Sequence, residues 1–454
     1  MNSDASSNEA TLSWGERLLS LGAEIRPGEG KSAYLLMTSL FFLLITAYLL
    51  KPAREMLILT QGGSEIRSYS VALQAILLIV VIPIYGILVR KFDGRKFMLG
   101  ITVFFATNMF CFYVLAKMGV QISIPFFVWL GVYGVLIVSQ FWGFASQVYD
   151  KQRGERLFAL VAVGASVGAW VGSILSRWLV TFFGPNELIL MSIFTLLIAV
   201  AITTRLSADD FSGVSEEPKK AVSYWSGFSM VVKSRYLILI AIFVILLNWV
   251  NSTGEYLLSF LVEVFYEEGT AAGSITDSKE TYIGKFYTEF YLMVNLVGVI
   301  IQFFVVSRLI KWAGFRPAFV ITPILVFMGY GLLAFFPIVA LFRVVKVAEN
   351  GLDYSLQNTT RQILFLPTTR REKYEARAVI DTLCFRFGDL LQAGAVFIGL
   401  NVLYVLPRHF VFLNIFLALA MVIVGMYIGK YYLEKTSIEK PGESDSSRSD
   451  SITA

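Results

Sequence analysis

The feature that most restricts this chain is a series of apolar segments, each long enough to cross a bilayer. A helix needs about 20 predominantly apolar residues to span the hydrocarbon core, and such segments recur from Ala33 to Leu433. The first runs from Ala33 through LLMTSLFFLLITAYLL, meets Lys51-Pro52-Ala53-Arg54-Glu55 and resumes as MLILT. That pattern predicts one long helix kinked at Pro52, since neighbouring helices can satisfy the carbonyl that a proline frees. Further segments fall at about 69–90, 96–117, 124–148, 156–183 and 187–206, then at about 236–262, 283–311, 315–337, 338–366, 375–405 and 409–433. The predicted fold is therefore an all-α polytopic membrane protein with about twelve transmembrane helices in two six-helix halves.

Composition agrees and narrows the function classes. Only 16% of residues are charged while 15% are aromatic, too little charge and too much apolar surface for several soluble domains. The small net positive charge is read as loop topology, and no nucleic-acid surface is expected. One histidine and two cysteines leave no metal site to build, and no cofactor is expected. Cys111 and Cys384 fall within apolar segments and are expected as buried thiols without a disulfide. His409 has no nucleophile beside it, so an enzyme is not expected. The glycines of VGASVGAWVG lack the strand–turn–helix setting of a phosphate loop and predict close helix approach at a moving interface.

The expected divisions are a cytoplasmic tail at 1–32, an N-terminal half at 33–206, a cytoplasmic linker at 207–235, a C-terminal half at 236–433 and a disordered tail at 434–454. A short amphipathic helix is expected around Trp14–Leu21, and no cleaved signal peptide is seen. Loop charge supports the count. Basic clusters follow span two (Arg90, Lys91, Arg95, Lys96), span four (Lys151, Arg153, Arg156), the linker (Lys219, Lys220, Lys233), span eight (Arg308, Lys311, Arg316) and span ten (Arg370, Arg371, Lys373, Arg377). The other side has scattered basics such as Arg67, Lys117, Lys279 and Arg408, so both termini are expected in the cytoplasm. Gly94 and Gly314, and Gly168 and Gly388, share a separation of 220 residues, which predicts a parallel repeat of the halves.

One stretch breaks the apolar pattern. Between Ile338 and Arg377, Lys346, Glu349, Asp353, Gln357 and Arg361 recur at spacings of three and four, which puts them on one face of a helix. Phe342, Val345, Leu352, Leu356 and Ile363 form the opposite face. Lipid cannot solvate a charged face, so it must look at protein or at a water-filled cavity. Internal ion pairs are the competing reading for Lys346 and Arg361.

The same stretch, LDYSLQNTTRQILFLPTTRREKYEARAVID, resembles the ATP/ADP translocases, the nucleotide transporters of plastids and obligate intracellular bacteria. Tyr354, Ser355, Leu356, Arg361, Gln362, Phe365, Pro367, Ala378, Ile380 and Asp381 carry the likeness, with FWGFASQ at 141–147 and LLKPARE in the first span. The loop VRKFDGRKF and the halves resemble the wider major facilitator architecture. The resemblance implies a functional Lys in span one, matched by Lys51. It also implies a Glu in span four, where this chain has Leu130, Gly131 and Val132, and a Glu in span seven, where Asn251 is nearest and Glu255 follows one turn later. A Lys after the glycine of span eleven is replaced by Asp389 after Gly388.

These readings give a secondary transporter resembling ATP/ADP exchangers, with alternating access around a central basic cavity. The substrate-binding candidates are Lys51, Arg54, Asn248, Asn251, Lys346, Tyr354, Arg361 and Arg386. Glu55, Glu255, Glu349, Asp353 and Asp389 are candidates for coupling or ion pairing. Tyr354 or Trp249 would stack on a base. The expected partners are a small-molecule substrate of the nucleotide class (ATP/ADP) and the lipid bilayer, with the chain a monomer in a bacterial inner membrane. Transport of another organic anion or zwitterion, coupled to protons, and a non-transporting receptor or scaffold stay open as alternatives.

Overall fold

The computed structural model describes residues 25–26, 29–91, 94–149, 151–206, 224–336 and 338–438. The expected helix at Trp14–Leu21, most of the linker, the chain from 439 onward and Phe92-Asp93 of the first basic loop lie outside them. Among the described residues the chain is helical, with no strand. The helices are α1 (Gly30–Gln61), α2 (Gly63–Lys91), α3 (Gly94–Lys117), α4 (Ser123–Val148), α5 (Lys151–Leu179), α6 (Pro185–Thr203), α7 (Tyr224–Lys233) and α8 (Arg235–Ala271). They continue as α9 (Lys279–Ala313), α10 (Phe315–Phe335), α11 (339–363), α12 (Glu372–Val402) and α13 (Phe410–Ile438).

Eleven of these helices are long and apolar enough to cross a membrane. The expected span ten, α11, is helical as well, and its charged residues keep it out of that group. The chain is thus an integral membrane protein with the all-α architecture read from its sequence. Its outer surface is apolar: Phe104, Trp178, Phe303, Phe304 and Phe416 are exposed. Cys111 belongs to that surface and is not buried, because a bilayer removes the drive to bury an apolar side chain; Cys384 is half-buried, and both thiols are free.

The described helices group into two compact units. The first draws on Met1–Gly62, Val80–Lys219 and Thr270–Leu292, the second on Gly63–Ile79, Lys220–Gly269 and Met293–Ala454. In the first, α1 packs chiefly on α5 and α6. Ser39 Oγ donates to the Ala199 carbonyl at 3.0 Å, and the Thr46 and Thr195 hydroxyls lie 2.8 Å apart. Such hydroxyl pairs bind helices where water offers no alternative partner. The glycine seam is what α5 presents to α1. A Cβ on Gly168 would fall 2.9 Å from Phe41 Cα, and one on Gly172 would fall 2.9 Å from Ile45 Cα and 3.0 Å from Tyr48 Cβ.

The second unit contains all five π-helical segments among the described residues, at Ile301–Val306, Asp353–Gln357, Glu372–Ala376, Ile380–Cys384 and Ile398–Val402. Such segments interrupt the regular register of a helix and often mark functional regions. One lies inside the charged stretch and corrects the two-faced reading of α11. Lys346, Glu349 and Gln357 are buried, but so are Phe342, Leu352 and Leu356 of the opposite face. Leu352 and Leu356 pack with Val306 and Ala318. The exposed side is a third one, with Val344 and Tyr354.

Several ends differ from the expectation. The second span starts at Gly63 and not near 69, because Arg67 and Ser68 find protein partners. The linker residues 224–233 form α7, and the last helix continues past Glu434 to Ile438.

Candidate functional site

The charged stretch of α11 meets one face of α8. Asn248, Asn251, Ser252 and Glu255 recur at helical spacing on α8 and so share a side of it. The ammonium of Lys346, fully buried, donates to the Asn251 carbonyl at 3.0 Å, to Asn251 Oδ1 at 2.7 Å and to Glu349 Oε1 at 3.1 Å. It lies 3.7 Å from Glu255 Oε1. Glu255 also accepts from Asn350 Nδ2 at 3.0 Å and pairs with Arg67 of α2 at 3.3 Å. Tyr330 of α10 donates to Glu349 Oε2 at 2.9 Å. Two cations and two carboxylates therefore alternate through the packed helices with no net charge. Gly254 leaves the space, since a Cβ there would lie 2.9 Å from the Lys346 ammonium.

A second cluster sits one turn earlier on α8. Asp389 is buried; it accepts from Ser252 Oγ at 2.7 Å and from Arg386 Nη1 at 3.1 Å. Asn248 Nδ2 donates to the Phe385 carbonyl at 2.7 Å. The helices touch closely here: a Cβ on Gly388 would stand 2.7 Å from the Ile245 carbonyl oxygen. Toward the end of α11, Arg361 lies 3.9 Å from Asp381, which also accepts from Arg377 at 3.2 Å. Among the described residues, Asp353 has only longer-range electrostatic partners in Arg361 and Lys346. The side-chain amide of Gln357, wholly buried, has no hydrogen-bond partner among the described residues.

In the first unit, Lys51 stands ten residues before the end of α1, roughly 15 Å along the helix at 1.5 Å per residue. Apolar residues flank it on both sides along the helix. Its ammonium lies over the ring of Tyr48 at 4.1 Å and near that of Tyr291 at 5.5 Å. The two rings meet edge to face. Lys51 makes no hydrogen bond or ion pair among the described residues and is half-buried. Arg54, one turn on, is engaged by Glu55 and lies 4.4 Å from the Phe127 ring. The glycine seam of α5 fixes Tyr48 from behind, so packing of α5 on α1 sets where the cation sits.

The sequence candidates thus separate into groups. Asn251, Glu255, Lys346 and Glu349 converge in one network; Asn248, Arg386 and Asp389 form another; Arg361 stands apart with Asp381; Lys51 stands with tyrosines; Tyr354 is exposed. The sequence reading missed Arg67, Tyr330 and Ser252 and gave Asn350, a polar residue of the charged stretch, no role of its own. Arg67 was counted among loop cations, but it is 4% exposed and inside α2. Its place two residues before the apolar run that starts near Tyr69 was the available signal.

The Major Facilitator Superfamily profile matches residues 33–349, more than half of the chain. The chain belongs to the Major Facilitator Superfamily. Among curated proteins, this member is 23% identical over 318 residues to ADP,ATP carrier protein 1 of Chlamydia muridarum. That match spans 59% of this chain and 58% of the carrier. It is 20% identical over 363 residues to ADP,ATP carrier protein 1 of Chlamydia pneumoniae, spanning 69% of this chain and 68% of that protein. Among solved structures, the POT family transporter PepTSo superposes with a TM-score of 0.64 at 10% identity, covering 90% of this chain and 98% of that one. The nucleoside transporter NupG gives 0.58 at 13% identity, covering 89% and 98%. The major facilitator architecture expected from the repeat and the likeness to ADP,ATP carriers expected from the charged stretch both stand. The family and the fold are those of major facilitator transporters.

Proposed function

We propose that this major facilitator protein exchanges nucleotides, ATP and ADP, by alternating access, and that Lys51 anchors the substrate's phosphates. The observation that carries the reading is the Lys51 ammonium between Tyr48 and Tyr291, ten residues before the end of α1, with none of its three N–H donors engaged among the described residues. Ring faces attract a cation, each by roughly 0.5–2 kcal/mol, but accept no strong hydrogen bonds. An arriving phosphate supplies both charge and acceptors, and the bond it makes is charge-assisted. The 20–23% identity to ADP,ATP carriers supports the nucleotide class. Arg54, Arg361 and Arg386 already face carboxylates, so in this reading they set the field and Lys51 makes the contact. Lys346, whose donors are all engaged by protein, holds α8 and α11 together.

A second reading, proton-coupled transport of another organic anion or zwitterion, is favoured by the network of Arg67, Glu255, Lys346 and Glu349. Buried carboxylates that exchange partners are suited to relay protons. Vesicles holding the purified protein, offered radiolabelled nucleotides and amino acids, separate the two. Uptake of labelled ATP accelerated by internal ADP supports exchange. Uptake of another solute driven by a pH gradient, without internal substrate, supports coupling. No uptake with any member of the panel would leave a receptor or scaffold.

The proposed location is a bacterial inner membrane, as a monomer with both termini in the cytoplasm, because the basic loops alternate with the spans. A cysteine introduced between residues 207 and 223 is expected to resist a membrane-impermeant maleimide on intact cells. Its labelling from outside would reverse the orientation.

A further inference from the structure

The short helix α7 precedes α8 by one residue, Ser234. Its buried side docks on the start of α12: Val231 is buried, and a Cβ on Gly227 would stand 2.8 Å from the carbonyl carbon of Glu375. Arg371 donates to Ser226 Oγ at 2.7 Å. Among the described residues, none lies over the opposite side. Trp225 is 84% exposed, Val232 55% and Phe228 50%, and the Trp225 and Phe228 rings stack on one another. Spacings of three and four place these three on one stripe, with Ser229 and Lys233 along its border.

We infer that α7 lies in the membrane interface, with Trp225, Phe228 and Val232 in the acyl boundary and the neighbouring basic residues on acidic lipid headgroups. Its depth is set by its neighbours. It adjoins the first residues of two membrane-crossing helices, Arg235 of α8 and Glu372 of α12. A helix tied to both starts lies at the level where the hydrocarbon core gives way to headgroups. A three-residue aromatic and aliphatic stripe in water would be costly, whereas Trp and other amphipathic residues favour that level. Tyr374, 64% exposed on the docked segment, adds a second aromatic there. Lys233, Arg235 and Arg370 are exposed around the same end and carry the charge that acidic headgroups need, while Arg371 already faces Glu375 at 3.1 Å. The chemistry therefore fits a bilayer surface better than a soluble apolar partner, which would leave these cations unmatched.

Single cysteines at 225, 228, 229, 232 and 233, in a chain carrying Cys111→Ser and Cys384→Ala, would be spin-labelled and reconstituted. Vesicles of phosphatidylcholine alone and with phosphatidylglycerol are compared. Labels at 225, 228 and 232 are expected to be severalfold more accessible to oxygen than to a water-soluble nickel chelate. The label at 233 should show the reverse, and acidic lipid should increase the contrast. Equal nickel access at 225, 228 and 233 would overturn the inference, as would protection of 225 and 228 from both reagents. The latter pattern means protein cover, and dipolar broadening between labels would identify a second copy. If the cysteine-free chain does not fold, the unaltered chain and Trp225→Phe are compared in vesicles with bromine near the headgroup. The emission lost on substitution should be the strongly quenched part; an unquenched Trp225 contribution overturns the inference.

Discussion

Replacing Lys346 by Met removes one cation from the network that joins α2, α8, α10 and α11. The ammonium is fully buried, with three hydrogen bonds and a second carboxylate at 3.7 Å. Without it, Glu255 and Glu349 face only Arg67 as a cation in this network, and Arg67 contacts Glu255 alone of the two. Breaking a buried pair by deleting one partner costs about 3–5 kcal/mol, since the remaining charge is left uncompensated. Replacing both partners of a pair with neutral groups of similar size is often neutral. Lys346→Met should therefore lower stability by about 3–5 kcal/mol, and Lys346→Met with Glu349→Gln should recover most of the loss. Glu349→Gln alone should cost less than the lysine substitution, because Lys346 keeps Asn251 and Glu255. Equilibrium unfolding in mixed micelles, followed by far-UV circular dichroism, reads all three. The reasoning is refuted if Lys346→Met unfolds at the wild-type midpoint, or if the double variant is no more stable than the single one.

Two further outcomes follow from the first unit. Gly168→Leu should force α5 away from the Phe41 backbone and cost about 1–3 kcal/mol or more, the range for overpacking; yield of inserted protein and the unfolding midpoint measure it, and a wild-type midpoint would show that the seam is not tight. Glu29, just before α1, accepts both Nη groups of Arg156 at 3.0 and 2.8 Å and pairs with Arg153 at 3.3 Å. Burial alone would raise its carboxyl, but Arg156, the Arg26 backbone N–H and Arg153 together hold it below its ordinary 4.5. A depressed folded value means that this stabilisation is full above pH 4.5 and is lost as pH falls through the folded value. Glu29→Gln should thus lower the midpoint near neutral pH and flatten its acid dependence; equal acid slopes in both proteins would remove Glu29 as a contributor.

The membrane class was legible because apolar runs of spanning length admit few solutions in lipid. Span ten was legible as helix, but its register was not. A π segment at Asp353–Gln357 depends on which neighbours take up the displaced backbone, and no local residue pattern encodes that. The Lys346 network was half legible. Lys346, Glu349, Asn251 and Glu255 could be marked as intramembrane polar residues, but their pairing joins positions 95 apart in the chain. Arg67 escaped because a basic residue near a span end reads equally well as loop charge. Lys51 differs: family likeness and helix position both singled it out, while its tyrosine surroundings, Tyr291 above all, appear only in three dimensions.

The central claim is that the unpaired ammonium of Lys51 receives an anionic substrate. Equilibrium binding of radiolabelled ATP to purified wild-type, Lys51→Ala and Lys51→Arg proteins, with unfolding midpoints recorded alongside, tests it most directly. A partly buried charge-assisted bond is worth about 1.5–3 kcal/mol. Lys51→Ala is therefore expected to weaken binding about ten- to hundredfold at an unchanged ligand-free midpoint. Lys51→Arg should keep part of the affinity, since its charge stays and its donor geometry changes. Wild-type affinity in Lys51→Ala would contradict the account.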